Sequence, residues 1–181
     1  MTDRHRLFVA LPVPAWVRAD LDAAVAPLRD QAPDLRWVTP STWHVTVSFL
    51  GSVPGEQIPH IAGALAGAVA TGPNPTIGLD GTADTFDNRV LWAAIDHRCD
   101  LDELASAVRA SLEPLGHVED KPFHAHLTLA RPPKGGRIPA ELASAFHGPA
   151  TSWRVDQLQL MRSKPHPEGA RYDTVASWPL P

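Results

Sequence analysis

The 181-residue chain is 44% apolar and carries a formal net charge of -4, so it can bury one sizeable core but lacks the cationic excess of a protein that coats duplex nucleic acid. Any contact with nucleic acid is expected to be local, at one chain end or one phosphate. The single cysteine, Cys99, excludes an internal disulfide framework and reads as a small buried hydrophobe.

In chain order, the opening MTDRHRLFVALPVP holds an apolar run too short for a signal segment or a membrane span, which predicts a cytoplasmic protein that does not enter the membrane. Residues 7–11 are predicted to form a strand ended by Pro12 and Pro14, and Val17, Leu21, Val25 and Leu28 then recur at helical spacing. Residues 44–50 alternate. That places His44, Thr46 and Ser48 on one face of an extended segment and Val45, Val47 and Phe49 on the other. A second helix is predicted over 56–70, and the proline-rich stretches 71–75 and 131–139 read as loops within one unit rather than as linkers.

The second half repeats the scheme. Residues 89–95 (RVLWAAI) read as a strand comparable to the first, and Asp100 with Glu103 forms a capping signature ahead of Leu101, Leu104, Val108, Leu112 and Leu115 at helical spacing. Residues 124–131 (HAHLTLAR) then set His126 and Thr128 on one face, Leu127 and Leu129 on the other. The separations Arg6 to His44 and Arg89 to His126 differ by a single residue. The chain thus reads as one domain, 1–181, of pseudo-repeats at about 6–70 and 89–145, completed by β-prone runs at 152–162 and 172–178.

Two HxT strands facing a common groove would bring two imidazoles and two hydroxyls to one space. Imidazole titrates near pH 6.5, so one copy can act as base while the other acts as acid. For a cyclic phosphodiester, the neutral ring takes a proton from water and the protonated ring donates to the departing ribose oxygen. Thr46 and Thr128 can donate to the phosphate oxygens, and Arg131 can bind phosphate from the end of the second strand. No metal or other cofactor is required.

These residues resemble the 2H phosphoesterases, and among them the bacterial and archaeal RNA 2',3'-cyclic phosphodiesterases. The resemblance rests on HVTV at 44–47 and HLTL at 126–129. It extends through RLFVALPVP, RWVTPSTWHVTVSFLG, PFHAHLTLAR and the closing MRSKPHPEGARYDTVASWPL. It implies a bilobal α+β fold, with two antiparallel sheets around a central cleft and helices outside. It also implies hydrolysis of RNA 2',3'-cyclic phosphate ends to 2'-phosphates, with His44 as proton donor to the 3'-oxygen and His126 as proton acceptor from water. Weak 2'-5' RNA ligation, the reverse reaction, is implied too, in a protein that reads as a monomer.

Three other readings stay open on sequence alone. The same scaffold could act on small cyclic nucleotides or an ADP-ribose cyclic phosphate. It could bind RNA ends without turnover. A metallohydrolase could use His124 and His126 as ligands, although His124 reads better as a supporting or substrate-side residue. Trp37, Trp43, Phe49 and Phe123 surround the motifs, most of them as core and one as a possible surface for a base; Lys164, Arg171 and Tyr172 could face RNA.

Overall fold

The apolar run after Arg6 lies in a strand, β1 (Arg4–Pro12), of a computed structural model that describes residues 3–97, 99–166 and 170–181, without the side chains of 97 and 99. The burial expected of Cys99, and positions 167–169 of the closing segment, lie outside the described residues. Pro12 and Pro14 end the strand, and α1 (Ala15–Gln31) follows with Val17, Leu21, Val25 and Leu28 buried, the stripe its spacing dictates. A two-residue strand, β2 (Arg36–Trp37), leads to β3 (His44–Pro54) and α2 (Ile58–Thr71).

β4 (Thr76–Phe86) was not foreseen, because TIGLDGTADTF is rich in residues that strands disfavour. Packing explains it. A Cβ at Gly78 would lie 2.4 Å from the Thr151 carbonyl oxygen, so glycine is what allows the neighbouring strand to approach. Gly81, at φ +89°, sits where the register against the next strand shifts. The second half continues with β5 (Val90–His97), α3 (Cys99–Leu112), β6 (His126–Arg131) and the short α4 (Ala140–Ser144). α3 begins ahead of Asp100. Asp100 therefore lies inside the first turn with Asp102, where acidic charge favours the helix dipole, instead of capping from outside; Leu115 falls in a separate 3-10 turn.

The run expected at 152–162 is two strands, β7 (Ala150–Arg154) and β8 (Gln157–Lys164), separated by Val155 and Asp156. The Val155 amide bonds to Pro75 and the Asp156 carbonyl accepts from Leu180, which takes both out of the ladders. With β9 (Arg171–Pro179), the described strands run antiparallel in the order β7-β4-β5-β6-β3-β1-β8-β9, and β2 pairs with β6. Two four-stranded halves, β7-β4-β5-β6 and β3-β1-β8-β9, meet where β3 touches β6, with Val45 paired to Leu127. β1-α1-β3 and β5-α3-β6 take matching places on the two sides of this junction. The fold is α+β as expected, but its two antiparallel halves join through the pair of Val45 and Leu127 into one continuous curled sheet instead of two separate ones.

One detail of β3 departs from simple alternation. Val9 pairs with Ser48 and Ala10 with Thr46, so Val47 is an extra residue and the strand bulges. Beyond it the faces exchange. Ser48 is buried, while Phe49 is 57% exposed, the reverse of the expectation that placed Ser48 beside His44 and Phe49 in the core.

Candidate active site

Val45 and Leu127 are fully buried and paired across antiparallel strands, which sets His44 opposite Thr128 and Thr46 opposite His126 on the other face. The four residues form a four-cornered patch. The histidines occupy one diagonal, the position of diagonal cross-strand neighbours, whose Cβ atoms lie somewhat under about 7–8 Å apart in general. All four line one cavity of about 440 Å³, and Arg131 lines it as well. The structure therefore brings together the five residues singled out from the sequence. Among the described residues, neither threonine hydroxyl has a hydrogen-bond partner, so both can donate into the cavity.

Each histidine is anchored in the same local way. His44 Nδ1 lies 2.8 Å from the Thr42 carbonyl oxygen, and His126 Nδ1 lies 2.8 Å from the His124 carbonyl oxygen. A carbonyl only accepts, so Nδ1 carries the hydrogen in both rings and donates it. Nε2 is left to exchange a proton. The contribution of His124 to the site is thus its backbone: its ring packs edge-on to Trp92, at 4.9 Å between centroids, and it is absent from the cavity lining.

Aromatic rings hold both imidazoles from the side. His44 lies 4.9 Å from Phe8 and 5.3 Å from Tyr172, while His126 lies 5.0 Å from Phe86 and 6.2 Å from Trp92. This apolar setting has an electrostatic consequence. Burial pushes His44 below the ordinary imidazole value, against the opposing pull of the Thr42 carbonyl and with a smaller push from His126. His126 is lowered in the same way by burial, partly restored by the His124 carbonyl, and lowered again by His124 and Arg131. In the unliganded protein both rings favour the neutral form.

A second network holds the segment that carries the His124 carbonyl. Arg109 on α3 donates to the carbonyls of Val47 and Lys121, at 3.3 and 3.0 Å, and pairs with Glu119 at 3.3 Å. Glu119 also accepts from buried Ser48 at 3.1 Å, and the Arg109 guanidinium lies 5.4 Å from the Phe123 ring centre. Phe123 and Ser48 therefore serve this brace rather than the cavity.

Of the remaining candidates, Phe49, Tyr172 and the buried Trp43 line the cavity. Trp37 and Arg171 line an adjoining groove, whereas Lys164 pairs with Asp173. Arg6, Phe8, Phe86 and Trp92 were missed. Phe8 was legible in principle, since it alternates with Leu7 and Val9; nothing in the sequence ties Phe86 or Trp92 to His126. Among the described residues no three His, Cys, Asp or Glu side chains are grouped to hold a metal, and no helix is long and apolar enough to cross a membrane.

The sequence profile described as the 2'-5' RNA ligase superfamily matches residues 13–167. An RNA 2',3'-cyclic phosphodiesterase of Thermus thermophilus is 34% identical, covering 97% of this chain and 90% of that protein. Another of the same name, from Geobacillus stearothermophilus, is 26% identical over 98% of this chain, which spans only 58% of that relative's length. Among crystal structures, that of E. coli LigT complexed with 3'-AMP superposes with a TM-score of 0.80 at 26% identity, covering 98% of this chain and 99% of that one. The chain belongs to the 2'-5' RNA ligase superfamily, the 2H phosphoesterases that its two HxT segments resemble.

Proposed function

We propose that this protein opens 2',3'-cyclic phosphates at RNA ends, leaving a 2'-phosphate, with His126 as general base and His44 as general acid. The observation that carries the reading is the diagonal pair of imidazoles, each with Nδ1 held on a backbone carbonyl and Nε2 left to work, on the wall of one cavity. The relatives that bear the name RNA 2',3'-cyclic phosphodiesterase support the substrate.

In the proposed step, neutral His126 Nε2 takes a proton from water as the water oxygen bonds to phosphorus. The bond from phosphorus to O3' breaks on the opposite side, and protonated His44 Nε2 delivers its proton to O3'. Thr46, Thr128 and Arg131 would hold the non-bridging oxygens as charge builds on them. The phosphate anion brought by the substrate favours the imidazolium that His44 needs, which offsets its burial. With a 5'-hydroxyl in place of water as the nucleophile, His126 would take the hydroxyl proton, O5' would bond to phosphorus and O3' would leave with the proton of His44, which forms a 2'-5' linkage, so weak ligation is part of the proposal. One domain with pseudo-repeats at about 6–70 and 89–145, acting as a cytoplasmic monomer, is the organisation we infer; the matching places of β1-α1-β3 and β5-α3-β6 support the repeats.

The test is incubation of the purified protein, with a chelator present, with an RNA ending in a 2',3'-cyclic phosphate. A 2'-monoester product is expected. A 3'-monoester, or activity that chelation removes, would refute the assignment.

A further inference from the structure

Opening off the cavity is a groove of about 640 Å³ that shares Thr42, Arg131 and Tyr172 with it, so the two form one continuous depression. The chain has 20 acidic against 16 basic residues, yet among the described residues neither lining contains an Asp or a Glu. The groove instead carries Arg36, Arg131 and Arg171.

The arrangement of two of them is unusual. Arg36 on β2 and Arg131 on β6 are direct cross-strand partners, and like charges placed opposite each other weaken a sheet. No carboxylate pairs with either among the described residues. Arg36 is not adrift: its Nε and Nη2 donate to the Pro132 carbonyl oxygen at 3.2 and 2.8 Å, which points the guanidinium along the end of β6. A like-charged pair of which Arg36 is held in place by a backbone carbonyl, at the junction of two depressions, is suited to an anion that bridges both forks.

We propose that Arg36 and Arg131 together bind the phosphodiester that precedes the terminal nucleotide, which makes this protein selective for oligonucleotide ends over cyclic mononucleotides. The inference rests on the cyclic-phosphate reading and deepens it. A mononucleotide has only the phosphate that sits between the histidines; an oligonucleotide has a second, and the groove leads it past Arg131 to Arg36. Arg131 then serves both phosphates, and Arg36 serves the second.

The experiment compares kcat/KM for a trinucleotide ending in a 2',3'-cyclic phosphate with that for the matching 2',3'-cyclic mononucleotide, at several salt concentrations. The wild type should prefer the trinucleotide. Arg36→Gln should cut trinucleotide kcat/KM by about 10- to 100-fold, the worth of one charged hydrogen-bonding group, and so collapse the preference. It should also reduce the log-log salt slope for the trinucleotide by about 0.7, one single-strand phosphate contact. Arg36→Lys should restore the salt slope while recovering only part of the rate, which a merely structural arginine would not do. Equal losses on both substrates with Arg36→Gln, or no preference in the wild type, would overturn the subsite while leaving the hydrolase intact. Turnover of neither substrate by the wild type would instead overturn the reading beneath it.

Discussion

Val45 and Leu127, both fully buried, are the paired residues through which β3 and β6 join. The diagonal of the two histidines is laid out from this one pair, so its packing governs the distance across which a proton-transfer pair must reach. Leu127→Ala should cost about 2–5 kcal/mol, the range for emptying a buried leucine site. It should also depress turnover at temperatures where the variant is still folded, because the floor beneath Thr46 and Thr128 becomes compliant. Leu127→Met should retain both properties within about 1.5 kcal/mol. Thermal unfolding and turnover measured together test this; full activity in a destabilised Leu127→Ala would show that the junction does not set the site.

His44→Ala and His126→Ala should each lower kcat by about 10²–10⁴-fold on a cyclic-phosphate substrate, as each removes one proton-transfer group. Neither should unfold the protein, because each ring's hydrogen bond runs to a carbonyl two residues away and its other contacts are with aromatic rings at the cavity wall. The double variant should lose less than the product of the two factors if the groups act in one concerted step. Single-turnover rates decide the matter, and near-normal turnover in either well-folded variant would contradict the assignment.

Burial lowers both imidazoles, which fixes the direction of two pH effects. For the free protein, reported by kcat/KM, the optimum should lie on the acid side of the ordinary imidazole value of 6.5. The kcat optimum should lie at higher pH, since bound phosphate favours imidazolium. Stability moves with the same shifts. A histidine that binds its proton less tightly when folded lets the unfolded chain take up more protons as pH falls. The contribution is present above 6.5 and is lost as pH drops from there through the lowered native values. Melting curves between about pH 8 and about pH 5 should show that decline, flattened in a His44→Gln, His126→Gln double variant; a wild type that gained stability on acidification over this range would be incompatible with buried neutral rings.

Thr46→Val and Thr128→Val keep strand-forming shape and remove one hydroxyl each. Each should slow turnover by about 10- to 100-fold, as expected for a hydrogen bond to a charged group, with little change in melting temperature. Unchanged kinetics in both would assign the threonines to the sheet alone.

Arg109→Met should break the brace between α3, β3 and the segment before β6. The expected loss is about 1–3 kcal/mol, a drop of several degrees in Tm for a chain of this length. Because Glu119 and Lys121 lie in the segment that supplies the His124 carbonyl, kcat should fall while KM changes little. A variant as stable and as fast as the wild type would remove the brace from the argument.

What the sequence made legible was whatever obeys a local period. The buried stripe of α1 and the facing of His44, Thr46, His126 and Thr128 follow from repeats of 3.6 and 2 residues, which need no knowledge of the partner strand. What escaped depends on contacts from far away. β4 forms because a glycine admits β7 against it, the run at 152–162 breaks because Pro75 and Leu180 claim its middle, and the rings beside His126 arrive from β4 and β5. The Nδ1 anchors are local, yet they depend on ring orientation, which residue type alone does not specify.

The bulge at Val47 separates two jobs along a single strand. Upstream of it the spacing that serves chemistry is fixed by the pairing of Val45 with Leu127; downstream, parity is free to change without moving a histidine. Because the extra residue sets two successive side chains, Val47 and Ser48, on the core face, the rim around Phe49 can be rebuilt for differently shaped guests while the catalytic floor keeps its spacing.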